Sequence, residues 1–180
     1  MYLYNTIKNN KKIFIKKRND QKAYKDLFII LSKIKKEKIF LVKKNKNQLN
    51  EIYKIQTESN ARKYANTKKI ITYQDHKIWF KKMLLSKSYH HFLIKKNVLT
   101  VGLVSYKPSK KGYIISIIIK KKYRNKNYAY TAIKMSLSNK EIINKKVLAI
   151  VKKNNINSIR LFRKLKFSLN SKKKLYMKLS

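Results

Sequence analysis

The stretch ISIIIKKKYRNKNYAYTAIKMSL, residues 115–137, decides how this chain is read. The isoleucines around Ser116 predict a buried strand. Lys120 to Asn127 form a short basic turn, after which Ala132, Ile133 and Leu137 recur at helical spacing from Tyr128 onward. A turn that opens a helix presents backbone N–H groups and the positive end of the helix dipole, which together bind a phosphate or pyrophosphate. Arg124 and Lys126 would reinforce such a site. An ordinary solvated turn has the same composition, so this stretch alone leaves phosphate binding open.

Working outward, the elements alternate. Ile39–Val42 reads as a strand, Gln48–Ile55 as a helix, and Thr72 as the N-cap of a second helix, Tyr73–Leu85. Strands His91–Lys95 and Val98–Tyr106 flank a turn at Lys96-Asn97, and Gly112–Lys120 follows a turn at Pro108–Lys111. After the helix from Tyr128 to Asn139 come a strand Val147–Val151, a helix Asn157–Leu165 and a strand pair, Phe167–Leu169 and Lys174–Leu179. Lysine runs such as Lys120–Lys122 and Lys172–Lys174 read as solvated strand ends. Residues 1–37 stand apart as an N-terminal extension. Within it Asp20–Glu37 predicts an amphipathic helix on Ala23, Leu27, Ile30, Leu31 and Ile34, behind a polar lead holding Ile13-Phe14-Ile15. A hairpin arm, the remnant of a lost domain and a partner-binding extension all suit that segment.

The composition bounds the function classes. The 180 residues carry 48 Lys+Arg against 7 Asp+Glu, a net charge of +41 that points to nucleic acid or an anionic membrane. Only Arg18, Arg62, Arg124, Arg160 and Arg163 are arginines, and Lys, Asn, Ile and Tyr crowd the chain beside 2 Gly and 1 Pro. Those are residues of A/T-rich codons, so mutation pressure competes with an anionic partner as the source of the charge. At 43% hydrophobic the chain is no disordered tail. With no cysteine, a disulfide scaffold and thiolate-bound zinc are excluded, and His76, His90 and His91 alone suggest no metal. No leader-like apolar stretch opens the chain and no run approaches the ~18 residues of a membrane span, which makes a cytoplasmic location the default.

The central strand, the Arg-x-x-x-x-Ala turn and the helix, followed by AIVKKNNINSIRLFRKLKF over residues 149–167, resemble the acetyl-CoA-binding core of the Gcn5-related N-acetyltransferases, the GNAT family. That family has a pyrophosphate loop of the form Arg/Gln-x-x-Gly-x-Gly/Ala and, further on, Asn-x-x-Ser-(x3)-Tyr/Phe-x-Lys-x-Gly-Phe. Arg124, Ala129, Asn155, Ser158, Phe162, Lys164 and Phe167 fall in register. NARKYANTKKIITYQDHKIWFKKML, residues 60–84, and HHFLIKKNVLTVGLVSY, residues 90–106, resemble the family's N-terminal half, particularly members acting on a nucleotide-linked amino sugar in pseudaminic acid synthesis. The resemblance covers residues 38–180. It departs at the loop, where Asn125 and Asn127 stand and the motif's glycine falls on Asn127, at the glycine before the final Phe, which is Lys166, and at the common tyrosine, which is Phe162.

The resemblance implies an α/β fold, with a mixed, mostly antiparallel twisted central sheet flanked by helices, the acyl-CoA N-acyltransferase fold. It implies acetyl-CoA as co-substrate, a small amine as acceptor, no specific nucleic acid and no membrane as partners, and no metal. Cofactor contacts carried over in this way are Ile117 and Ile119 on the central strand, Arg124, Asn125, Lys126, Asn127, Tyr128 and Ala129 at the loop, and Asn155, Ser158 and Phe162 beyond it. Direct attack of a neutral amine needs the thioester carbonyl held within about 3–3.5 Å and a donor for the oxyanion. None of the seven acids falls on the central strands, which leaves deprotonation to a water chain, to Ser116 or to His76. Arg62, His76 and Trp79 are the substrate-side candidates, Arg62 because guanidinium binds phosphate oxygens bidentately. Acetylation of a protein N-terminus and a non-enzymatic basic nucleic-acid-binding protein are the competing functions.

Overall fold

The computed structural model describes residues 2–8, 11–16, 39–58, 61–65, 70–169 and 175–179. The chain divides into two compact units, Met1–Lys38 and Ile39–Ser180. In the first, β1 (Tyr2–Lys8) and β2 (Lys11–Lys16) form an antiparallel hairpin. The expected helix Asp20–Glu37 lies outside the described residues.

The second unit is built on a seven-stranded sheet in the order β3-β4-β5-β6-β7-β9-β8. Its strands are β3 (Ile39–Lys43), β4 (His90–Lys96), β5 (Leu99–Ser109), β6 (Gly112–Ile119), β7 (Val147–Val151), β8 (Ser168–Leu169) and β9 (Leu175–Leu179). Among the described strands only β6 and β7 run parallel. The helices are α1 (Leu49–Thr57), α2 (Tyr73–Leu85), α3 (Tyr128–Leu137) and α4 (Ile156–Lys164). This is the mixed, mostly antiparallel architecture expected. Period-two alternation divides the strands between two cores. Leu93 and Leu103 meet Ile52 and Ile55 of α1 and Phe80 and Met83 of α2, whereas Phe92, Ile94 and Val104 meet Ala132 and Ile133 of α3 and Phe162 of α4.

Thr72 caps α2 as expected, its hydroxyl accepting the Asp75 N–H at 3.1 Å. Two turns fall differently. The β4–β5 turn is Asn97-Val98, one residue later than expected, because Asn97 is the residue that turns left-handed, with φ +51°. β5 also runs on through Pro108 to Ser109, where Gly112 closes the hairpin with φ +115°. Pro108 is tolerated because its ladder partner, Tyr113, turns its N–H to Lys146 O at 2.8 Å, so the two exchange no hydrogen bonds and no acceptor on β6 waits for the N–H that proline lacks.

Candidate functional site

The parallel contact between β6 and β7 is short. It spans Tyr113↔Val147, Ile114↔Leu148 and Ile115↔Ala149 and then stops. Beyond it β6 stays paired with β5 out to Ile119↔Gly102, while β7 stays paired with β9 out to Val151↔Leu175. The two strands therefore splay, and past Ile115 the edge of β6 turned away from β5 has no β7 partner. A groove of about 430 Å³ opens there. Ser116 to Ile119 line one side and Ile150 to Lys152 the other, with Asn155 and Ser158 at the start of α4, Phe162 further along it and residues 61–65 completing the lining.

The loop after β6 keeps the backbone that the missing glycine at Asn127 would have given. Asn125 and Asn127 sit at φ +59° and +58°, in the left-handed region that Asn tolerates best after Gly. Asn127 is the N-cap of α3 yet places no side-chain hydrogen bond over its first turn, leaving that turn without a side-chain cap. Arg124 lines the groove and is steadied by its Nε, which donates to Ile119 O at 3.0 Å. Asn125, Lys126, Asn127 and Ala129 lie beside it on the loop and first turn, outside the groove's lining. The Tyr128 ring is buried in the core against that of Tyr123.

Asn155 caps α4, its Oδ1 accepting the Ser158 N–H at 3.2 Å. At the other end, the N–H groups of Lys166 and Phe167 reach back to Arg163 O (2.9 Å) and Phe162 O (3.0 Å), while the Phe162 and Phe167 rings meet at 5.1 Å. That paired bonding with its apolar contact is a Schellman closure, whose left-handed residue is Lys166 at φ +62°. Asn127 and Lys166, which stand where the motifs have glycine, thus both hold a left-handed backbone, as does Asn125 in the same loop as Asn127.

Ser116, Ile117, Ile119 and Arg62 all line the groove, together with Arg124, Asn155, Ser158 and Phe162. His76 and Trp79 do not. His76 is 1% exposed, its Nε2 lies 3.1 Å from Leu49 O, and burial lowers its pKa, so it is a packing residue of α2 rather than a base in the groove. Trp79 faces the same interior, 5.3 Å from the His76 ring and 5.8 Å from that of His91. Both sit on the inner stripe of α2, which is pressed on the sheet beside the groove; helical spacing identifies that stripe but not what it covers. His91 is likewise buried, and desolvation drives its pKa down to about 3. His90 meets Glu141 Oε2 at 3.2 Å and Tyr113 Oη at 3.1 Å, away from the groove's lining.

Sequence reading missed Tyr64, Tyr89, Ser105 and Lys152, all of which line the groove. Ser105 carries a signal, being a hydroxyl at an apolar position of the β5 alternation; Tyr89 and Lys152 carry none. Lys152 Nζ donates to Ala65 O at 2.8 Å, linking the two sides of the groove. The cations along it are Arg62, Lys63, Arg124 and Lys152, and no carboxylate joins them among the described residues. Glu51 is held by Lys95 and Thr100, Glu58 accepts the Lys121 N–H at 2.8 Å, and Glu141 is engaged with Lys43 at 2.8 Å.

Residues 38–168 match the family model described as "Acetyltransferase (GNAT) domain". The chain belongs to the GNAT acetyltransferase family. Similar solved structures include spermidine N-acetyltransferase from Vibrio cholerae in complex with CoA and spermine, at 16% identity and TM-score 0.66, covering 78% of this chain and 92% of that one. Another is the Campylobacter jejuni N-acetyltransferase PseH in complex with acetyl coenzyme A, at 19% identity and TM-score 0.58, covering 79% and 99%. A domain from Methanocaldococcus jannaschii reaches TM-score 0.66 at 20% identity, covering 79% and 97%. No curated protein matches the sequence. Family membership makes this GNAT chain an acetyltransferase rather than a basic protein without catalysis.

Proposed function

We propose that this chain transfers the acetyl group of acetyl-CoA to the amine of an anionic small molecule, an amino-sugar nucleotide of the kind used in pseudaminic acid synthesis. The observation that carries the reading is the sign of the groove: Arg62, Lys63, Arg124 and Lys152 line it, with no carboxylate among the described lining residues. A polyamine would bring positive charge to those cations, each contact at 4 Å costing about 1 kcal/mol in bulk water and about 4 kcal/mol near a protein surface. A diphosphate reverses the sign. Arg62 and Lys63, which line the groove, would receive it.

The left-handed turn at Asn125 and Asn127 fits a pyrophosphate, because it bends the chain without a side-chain cap over the α3 amides. Arg124 and Lys126 add charge there, Asn155 and Ser158 flank it at α4, and the open edge of β6 at Ile117 and Ile119 offers main-chain groups to the pantetheine arm. Bound acetyl-CoA would supply an activated thioester carbonyl. Around it, the cations lower the pKa of an approaching ammonium and raise the fraction of neutral amine. The Lys152–Ala65 contact across the groove favours a small acceptor over an extended peptide.

The test is release of CoA thiol with amino-sugar nucleotides, spermine and N-terminal peptides as acceptors, alongside thermal unfolding with and without acetyl-CoA. Acetyl-CoA at about 100 times its Kd should stabilise the native chain by about 2.7 kcal/mol. An unmoved melting temperature at saturating acetyl-CoA overturns the transferase reading. Turnover of spermine without turnover of the nucleotide overturns the acceptor.

A further inference from the structure

Acetyl transfer from a thioester to an amine, the reading on which this inference rests, forms an N–C bond and breaks a C–S bond. It leaves nitrogen with one proton too many and sulfur with one too few. A carboxylate or an imidazole commonly moves such a proton, yet neither lines the groove among the described residues. Hydroxyls remain, and a hydroxyl can accept one proton while donating another.

Tyr64, Tyr89, Ser105, Ser116 and Ser158 are the hydroxyls along the groove. Three of them form a row across the sheet. Ser105 stands directly opposite Ser116 in the β5–β6 ladder, and the Tyr89 hydroxyl, one residue before β4, hydrogen-bonds with Ser105. Opposed residues of an antiparallel ladder share a face with Cβ atoms about 4.5–5.5 Å apart, so rotation about χ1 of either serine brings the hydroxyls together. Ser116 is exposed on the splayed part of β6, whereas Ser105 is buried and Tyr89 half-buried. Both ends of the row, Ser116 and Tyr89, line the groove, with the buried Ser105 between them. Ser158, at the start of α4, and Tyr64, on the loop 61–65, stand outside it.

We propose that Ser116, Ser105 and Tyr89 form a hydroxyl relay carrying the amine proton to the departing thiolate. The nitrogen gives its proton to Ser116 Oγ as Ser116 gives its own to Ser105, Ser105 its own to Tyr89, and Tyr89 its own to sulfur. Each hydroxyl ends as it began, and the single proton lost by nitrogen is the one gained by the thiol. Burial raises the Tyr89 pKa, only partly offset by the Ser105 hydrogen bond, so the phenol stays protonated as the donor. His91, whose ring lies 6.1 Å from Tyr89, is held neutral at a pKa of about 3, and Trp79, 6.4 Å away, does not titrate. The cations of the groove favour the thiolate while it waits.

The experiment compares the full chain with Tyr89→Phe, Ser105→Ala and the double variant. Each single variant should lower kcat by about 10²-fold with KM for acetyl-CoA unchanged. The double should be no slower than the singles, because members of one relay fail together. A second readout needs no turnover: the ultraviolet absorbance of the thiolate of bound CoA, titrated with pH. Its midpoint should move upward in Tyr89→Phe, since the phenol no longer donates to the sulfur anion. Full activity in a folded Tyr89→Phe, losses that multiply in the double variant, or an unmoved thiolate midpoint would each overturn the relay. If the unaltered chain binds no acetyl-CoA, the transferase reading falls as well; if it binds and turns over while Tyr89→Phe does likewise, only the relay falls.

Discussion

Lys166 shows how a single residue can look wrong in sequence and still fit. A lysine before the final Phe interrupts the family pattern, but its φ of +62° is the value a Schellman closure requires, and two backbone bonds and the Phe162–Phe167 contact hold it there. A left-handed non-glycine residue costs about 1–2 kcal/mol. Glycine would recover that and return about 0.4–1 kcal/mol to the unfolded chain's entropy. Lys166→Gly should therefore stabilise the protein by about 0.5–1 kcal/mol, seen as a higher urea midpoint at unchanged m; an unmoved midpoint would show that the strain is absent. Asn127→Gly should change stability by less, since Asn already accepts this conformation. Arg124→Ala reads out binding instead: acetyl-CoA affinity by calorimetric titration should drop several-fold while the fold survives. Equal affinity would place the phosphate site elsewhere. The candidate site was legible at such residues as far as the loop and the α4 cap, where a motif fixes both residue type and position. It was not legible at Tyr89 or Lys152, whose place in the groove depends on which strands become neighbours.

At the scale of elements, periodicity and caps carried most of the reading. α2 begins and ends where Thr72 and the apolar spacing put it, and removing that cap gives a direct check. Thr72→Ala should cost about 1 kcal/mol in urea unfolding, because the Asp75 N–H loses its acceptor; a cost near zero would mean that water replaces the hydroxyl fully. What the elements do to one another was harder to see. The splay of β6 from β7 arises because their shared ladder ends at Ile115↔Ala149 while each strand continues against its other neighbour. Nothing in the isoleucine run marks that point. The register shift between Ile94 and Lys95 is equally silent, since either register leaves apolar residues inside. His76 and Trp79 were misplaced for the same reason: helical spacing gives the inner face of α2, and only the packing shows that this face closes over Tyr53, Tyr89 and His91.

For the whole molecule, the excess of positive charge acts against compactness, and pH controls how much more is added. Burial lowers the pKa of His76, His90 and His91 in the folded chain, with Glu141 opposing the effect at His90. A histidine with a depressed folded pKa takes up its proton first in the unfolded chain. Stability is thus complete above the unfolded value of about 6.5 and falls as pH drops below it, by up to about 1.4 kcal/mol per pH unit for each such histidine. For His91 the window extends down to about pH 3. Glu51 and Glu141, whose pKa values are lowered, add losses of the same sign only below their ordinary carboxylate range, so the span from pH 6.5 to 5 belongs to the histidines. Urea unfolding across that span should show a falling midpoint. His91→Leu, which replaces an imidazole with no hydrogen-bond partner among the described residues by an apolar side chain, should flatten the decline by about one proton's share. A variant as acid-sensitive as the original chain would mean that His91 already binds its proton when folded, and that the interior behind the hydroxyl row is wetter than its packing indicates.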